Sequence, residues 1–348
     1  MNTLPSNQEF PMHPSIIAVV LAAGKGTRMK STVAKVLHQV FFRPMIHHVL
    51  DTVRNTGIDQ CTVIIGHQRD EVEQVLVPYA VTTVVQDQQL GTGHAVLCAQ
   101  EACSGYEEVL ILCGDTPLIR AETLGKMIEA HHRQQAMLTL MTTLVDEPFG
   151  YGRILNDAQG RILSIVEEKD ATPEQRQIKE INAGIYLVNR SFLFAALSQV
   201  GTNNAQGEVY LTDIVALANQ QGLRVHTYIH PQAIDVLGVN SRLELAQAQA
   251  TLQQRRNREL MLGGVTLESP DTTLVAADCT IGPDSRLQGN VRLSEGTSLG
   301  RGCLIEHGSV LRHCHLGDQV TIGANSVLTN CRIEDGSTVP PLTICNQT

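Results

Sequence analysis

From Val275 onward the chain repeats with a period of six. Apolar residues recur at Val275, Ile281, Leu287, Leu293, Leu299, Ile305 and Leu311. One residue is dropped before Leu316, Ile322 and Leu328, and another before Ile333 and Val339. Glycine follows the apolar position at Gly282, Gly300, Gly317 and Gly323. A β-sandwich would alternate with period two instead. A six-residue period with small corner residues specifies a parallel β-helix, in which each flat side turns one aliphatic residue inward. Three sides close a coil of roughly 18 residues, so about four coils are expected. Nothing after Pro341 continues the aliphatic spacing, and the repeat is expected to stop there.

The chain before it reads differently. Ile16 to Ala22 is an unbroken apolar run leading into Gly24-Lys25-Gly26, the pattern of a buried strand and a glycine loop. Similar runs cover Thr62–Gly66, Val81–Val85 and Val109–Cys113, with helical stretches Met45–Asn55 and Gly93–Ala102 between them. This alternation predicts a Rossmann-like α/β domain with a mostly parallel sheet, binding its ligand at the carboxyl ends of the strands. Thr172-Pro173-Glu174-Gln175 and Ser241-Arg242-Leu243-Glu244 are capping boxes. The expected division is a disordered extension at 1–14, the α/β domain at 15–240, a linking helix at 241–262 and the short β-helix at 263–348.

Composition narrows the function. A net charge of −9 argues against sequence-independent nucleic-acid binding, which needs a basic surface. Nine cysteines, an odd number without CxxC spacing, fit a reducing cytosol better than a disulfide framework. No apolar run approaches the roughly 18 residues of a membrane span, and the first residues lack the apolar segment of a signal peptide. A cytoplasmic protein without membrane partners is expected. His313-Cys314-His315 lacks zinc-ligand spacing and lies where extended side chains alternate faces.

The sharpest local motif is Leu21-Ala22-Ala23-Gly24-Lys25-Gly26-Thr27-Arg28-Met29. No Gly-Lys-Ser/Thr closes it as in a Walker loop, and Met29 stands where GxGxxG needs glycine. Small residues let backbone N–H groups approach a phosphate, a following helix would add its positive end, and Lys25 and Arg28 supply cations. A tight strand-to-helix turn carrying surface bases fits the same residues. Asp115, after Gly114 at the end of an apolar strand, is as compatible with a metal ligand as with a turn former. Asn240 by itself reads as a turn residue beside the Ser241 cap, and Gln86 as a solvated side chain in a glutamine-rich stretch.

LAAGKGTRM resembles the signature of sugar nucleotidyltransferases. Further stretches resemble the uridyltransferase half of the bacterial bifunctional N-acetylglucosamine-1-phosphate uridyltransferase/glucosamine-1-phosphate acetyltransferase family: Lys35-Val36-Leu37-His38, Gln89 to Ala95 (QLGTGHA), Gly114 to Leu118 (GDTPL), Gly150 to Ile154 (GYGRI), Ile165-Val166-Glu167, Asp170-Ala171-Thr172, Glu180 to Gly184 (EINAG), Asn203 to Glu208 (NNAQGE), Thr212-Asp213 and Gly238-Val239-Asn240. They follow the family's order over roughly residues 16 to 262. The resemblance implies a nucleotidyltransferase domain followed by a left-handed β-helix. It implies Mg²⁺ held by Asp115 and Asn240, and phosphates met by Lys25, Arg28 and Lys35. It places the uridine against Leu21, Ala22, Ala23, Gly24, Gln86, Gly91 and Thr92, the sugar against Gly152, Glu167 and Asn182, and counts Gly114 and Asn240 among the substrate-binding residues. Gln86 would offer uracil one donor and one acceptor. The implied substrates are UTP and N-acetylglucosamine-1-phosphate, joined without a covalent enzyme intermediate.

The sequence also departs from the family. The β-helix is too short for the coils that carry acetyl transfer, so that activity is not expected. Ala34, Arg43 and Val209 replace the usual proline, lysine and aromatic residue, which leaves N-acetylgalactosamine-1-phosphate or glucose-1-phosphate open as substrates. Flat-sided β-helices of this kind assemble as homotrimers by the same resemblance. A non-catalytic sugar-nucleotide sensor or scaffold on this fold would have no need to keep Lys25, Arg28, Asp115 and Asn240 together.

Overall fold

The structure, a computed structural model, describes residues 12, 13 and 15–347. Most of the extension expected at 1–14 therefore lies outside the described residues. His13 is placed, with its N–H donating to Gly57 O at 3.0 Å. The chain forms two compact units, the first comprising residues up to Gln39 together with Arg43–Glu244, the second Val40–Phe42 together with the chain from Leu245 onward. The division between them falls in the first turn of the helix Arg242–Leu262.

The first unit is an α/β domain. Its strands are β1 (Ile16–Leu21), β2 (Cys61–Ile65), β3 (Thr82–Val85), β4 (Glu108–Cys113), β5 (Leu138–Leu144), β6 (Arg153–Asn156), β7 (Ile162–Val166), β8 (Glu180–Asn189) and β9 (Val225–Ile229). The main sheet runs β9-β5-β8-β4-β1-β2-β3, and β6 pairs with both β8 and β7. Along that order β8 runs antiparallel to its neighbours β4 and β5, while β4-β1-β2-β3 and β9-β5 are parallel pairings; β6 is antiparallel to both β8 and β7. Both faces of β1 are covered, which is why its sequence is continuously apolar. Ile16, Ala18 and Val20 face a core containing Ile46, Val49 and Val53 of α1 (Met45–Asn55). Ile17 and Val19 face one containing Ala95 and Val96 of α2 (Thr92–Cys98). After β1 the chain moves outward to β2 and β3, then returns to the other side of β1 as β4. The sheet's topological switch point therefore lies between β1 and β4, where an open α/β sheet leaves a crevice.

One expected element is absent. No α-helix follows the glycine loop; residues Thr27–Met29 form a single 3-10 turn between Gly26 and Lys30, both left-handed (φ 61° and 48°). The loop therefore supplies no helix dipole. The Thr172 capping box forms its reciprocal bonds, Thr172 N–H to Gln175 Oε1 at 2.9 Å and Gln175 N–H to Thr172 Oγ1 at 3.3 Å, but only the turn Gln175–Gln177 follows.

The second unit is a left-handed parallel β-helix. Its strands stack into three sheets of 5, 5 and 4, all parallel, so the described chain makes more than the four coils expected. The extra strands lie at both ends. Thr266–Leu267 begins the stack, separated from Leu274–Val275 by the 3-10 turn Pro270–Thr272, which takes Leu267 out of the six-residue spacing. Ile344–Asn346 ends it, paired with Val327–Thr329, so the repeat does continue beyond Pro341. Leu287, Leu293, Ile305, Leu311 and Ile322 are fully buried in this core. Corner glycines stack so closely that a Cβ on Gly282 would meet Gly300 O at 2.5 Å. Both dropped residues fall at one corner, where His313 and Asn330 adopt positive φ (50° and 55°) and donate N–H bonds to the coil before, at Ser294 O and Arg312 O.

Candidate active site

A pocket of about 400 Å³ opens at the switch point of the first unit. Leu21, Ala22, Ala23 and Gly24 leave β1 along its wall, Gln86 follows β3, and Cys113 and Asp115 end β4. Gly91 and Thr92, opening α2, complete one side. Gly91 has φ +105°, and a Cβ there would stand 2.6 Å from Val209 O, so only glycine fits.

Asp115, Lys35, Asn240 and Arg28 form one cluster. Lys35 Nζ makes an ion pair with Asp115 Oδ2 and donates to Asn240 Oδ1 at 2.6 Å. Arg28 Nη2 donates to the same oxygen at 2.7 Å. Asn240 arrives from 205 residues beyond Lys35 because the backbone anchors it twice. On one side the Val239 N–H donates to Asp115 O at 2.8 Å. On the other, Glu244 Oε2 accepts the N–H of Asn240 and that of Ser241, the latter at 2.9 Å, while Ser241 Oγ accepts the Glu244 N–H at 3.2 Å. The capping box read from the sequence thus orients a site residue as well as starting a helix.

Asp115 Oδ1 is buried and meets no donor. A buried carboxylate oxygen left unpaired costs free energy unless a cation reaches it. One carboxylate and one amide oxygen at this pocket make the hard-oxygen donor set that a divalent ion of the Mg²⁺ type takes, with the remaining positions left to substrate and water. Asp115 and Asn240 fit that role.

Gln86 is buried, and its Nε2 donates to Gly91 O at 3.1 Å and faces His94 Nδ1 at 3.0 Å. Its amide nitrogen is committed, so Oε1 remains as an acceptor only, in place of the donor–acceptor pair expected. Two of the residues expected around the nucleotide and its phosphates lie apart from the pocket wall. Lys25 is exposed on the loop, and Gly114 is structural, its N–H donating to Leu21 O at 2.9 Å.

Gly152, Glu167 and Asn182 form a second group, also outside that wall. The Asn182 N–H donates to Gly152 O at 2.9 Å, and a Cβ on Gly152 would lie 3.6 Å from both Glu167 carboxylate oxygens. Burial lifts the Glu167 carboxyl above its ordinary value, although Thr212 Oγ1 donates to it at 3.1 Å. Cys113 touches both groups, lining the pocket and donating to Gly184 O at 3.8 Å beside Asn182. Burial pushes its thiol up to about 12, which leaves it no thiolate character. Gln89 and Glu208 were missed as wall residues, although both stand in the quoted QLGTGHA and NNAQGE stretches; Gln89 Nε2 donates to Ala23 O at 2.6 Å.

A doubly covered sheet binds its ligand in a pocket of this kind at its switch point. The MobA-like NTP transferase domain family matches residues 18–179. A solved structure described as a glucose-1-phosphate thymidylyltransferase from Bacillus anthracis shares the fold, with a TM-score of 0.56 at 21% identity over 68% of this chain and 94% of that one. Relatives identify the family more closely. A protein of Desulfotalea psychrophila named bifunctional protein GlmU is 50% identical over 323 residues, 92% of this chain and 95% of the relative. One of the same name from Geobacter metallireducens is 48% identical over 85% of this chain and 63% of the relative. The chain belongs to the GlmU family and is a sugar-1-phosphate uridylyltransferase.

Proposed function

We propose that the protein joins UTP and N-acetylglucosamine-1-phosphate to give UDP-N-acetylglucosamine and pyrophosphate, with Mg²⁺ as its metal. The observation that carries this is the Asp115–Lys35–Asn240–Arg28 cluster at the switch point, with its unpaired buried carboxylate oxygen. In the reaction a phosphate oxygen of the sugar phosphate attacks the α-phosphorus of UTP, and pyrophosphate departs in line. Lys35 and Arg28 are poised to turn from Asn240 to phosphate oxygens and neutralise charge there, with Lys25 on the loop as a further cation. Mg²⁺ on Asp115 and Asn240 would supply electrostatic stabilisation of the phosphates. Gln86 Oε1 would accept the uracil N3–H, with Leu21 to Gly24, Gly91 and Thr92 around the nucleoside. Gly152, Glu167 and Asn182 present the amide, carboxylate and backbone groups that recognise sugar hydroxyls and an acetamide.

Acetyl transfer lies outside this proposal. Residues 263–348 contain no Phe, Tyr, Trp or Lys, so they offer an adenine ring no aromatic platform and coenzyme A phosphates no lysine. A trimer formed through the β-helix and a cytosolic location complete the reading. Among the described residues no helix is long and apolar enough to cross a membrane.

The test is pyrophosphate release with Mg²⁺ and UTP, offering N-acetylglucosamine-1-phosphate, N-acetylgalactosamine-1-phosphate and glucose-1-phosphate in turn. Acetyl-CoA with glucosamine-1-phosphate forms a separate arm. Fastest turnover with the first sugar, lost in Asp115→Ala, is expected. Full turnover in that variant would refute the metal assignment, and silence with every sugar would favour a sensor. Sedimentation at micromolar concentration that showed only monomer would refute the trimer.

A further inference from the structure

Lys35 occupies the point between Asp115 and Asn240 where the metal reading needs a cation. We propose that Lys35 is a resident counter-ion of that pair, and that its ammonium and the divalent metal hold Asp115 and Asn240 by exchange rather than together. The inference rests on the metal reading above. Lys35 Nζ is paired with Asp115 Oδ2 and lies 2.6 Å from Asn240 Oδ1, so one small cation already bridges both oxygens. The lysine side chain is only 14% exposed and Asp115 17%, so the contact is partly shielded from solvent. The stem is held there by Gly26, where a Cβ would come within 2.6 Å of Lys35 Cβ.

Charge explains what the exchange achieves. Asp115 contributes one negative charge, and Lys35 and Arg28 contribute one positive charge each. A divalent ion entering this cluster alone would meet two like charges and displace a made ion pair. A nucleotide polyphosphate changes the balance, because it gives the displaced ammonium anionic oxygens to bind. Metal and nucleotide are therefore admitted together, and the carboxylate is never left bare between turnovers.

The test uses the full-length protein and Mn²⁺ as probe, with binding read by electron paramagnetic resonance without nucleotide. Lys35→Met keeps most of the stem and removes the charge. It should bind Mn²⁺ about tenfold or more tightly than wild type, equivalent to about 1.4 kcal/mol. Lys35→Arg, which keeps a cation, should stay near wild type. Adding Asp115→Asn to Lys35→Met should abolish the gain. Circular-dichroism melts exclude misfolded variants, and Lys35→Gln repeats the test with a second neutral side chain. If the neutral variants bind Mn²⁺ no better than wild type, while wild type binds it with UTP present, exchange is overturned and the metal site stands. If Asp115→Asn leaves Mn²⁺ binding unchanged even with UTP, the metal reading itself falls.

Discussion

Glu244 is the residue whose removal separates holding a helix from holding a site. Its Oε2 accepts two backbone N–H groups, from Asn240 and Ser241, both half-buried. Glu244→Ala leaves both without that acceptor. Hydrogen bonds to charged acceptors contribute about 1.5 kcal/mol or more each, but water reaches half-buried donors, so the lower range of capping effects applies, about 1–2 kcal/mol in all. For an α/β unit of this size that lowers Tm by about 2–8 °C. The second effect concerns Asn240, whose backbone keeps only the Val239–Asp115 bond as its anchor. Loss of a residue that orients a metal ligand typically costs about 10–100-fold in metal affinity. The Mg²⁺ concentration giving half-maximal pyrophosphate release should rise by about that factor, with kcat largely recovered at saturating Mg²⁺. Glu244→Gln, which keeps a carbonyl acceptor, should restore most of both. A Glu244→Ala protein with lowered Tm but unchanged Mg²⁺ dependence would make Glu244 a helix cap and nothing more.

Other consequences follow from single contacts. Gly91→Ala forces a Cβ to within 2.6 Å of Val209 O at φ +105°, so it should lower Tm and weaken UTP binding at least about tenfold by calorimetry; unchanged affinity would remove Gly91 from the nucleotide wall. The Glu167 carboxyl, raised by burial, keeps its proton at pH values where the unfolded chain has released it. Stability from this group is therefore lost as pH rises from the ordinary carboxylate value through the raised one, and Glu167→Gln should gain Tm over wild type across melts from about pH 4 to about pH 8. Parallel curves would contradict this. Burial pushes Cys61, Cys103, Cys113 and Cys279 up to about 12, so these thiols should label with a disulfide reagent only after denaturation; rapid native labelling of Cys113 would contradict the raised thiol.

Much of the architecture is written in apolar spacing. The two-sided burial of β1, β2 and β4 makes their runs continuous, and α1 covers the stretch read from the sequence, Met45–Asn55. The β-helix is visible because its inward residues are almost all aliphatic. Its ends were missed where that chemistry changes. Leu267 is displaced by the Pro270–Thr272 turn, and Cys345, six residues after Val339, keeps the period with sulfur instead of a branched chain. The site is less legible. A loop with Lys25 and Arg28 does not say which base turns inward; the positive φ at Gly26 and Lys30 decides it, giving a 3-10 turn with Arg28 on Asn240. Asn240 looks like a turn residue until Gly238 is set against Asp115, where a Cβ would lie 3.1 Å from Asp115 Oδ1. No local pattern encodes that meeting.

The corner that carries His313 and Asn330 tells where this β-helix tolerates a change of length. Leu293 pairs with Leu311, Leu311 with Leu328, and Leu328 with Cys345, although the two later coils are each a residue shorter than the first. The shortening is absorbed before the next strand starts, so no inward row changes face. A residue gained or lost within Leu304–Ile305 or Val310–Arg312 would instead turn every following side chain to the wrong face until another corner corrected it. Insertions and deletions among relatives should therefore gather at corners, at this one and at the Pro270–Thr272 turn of the first coil, and spare the strands between them.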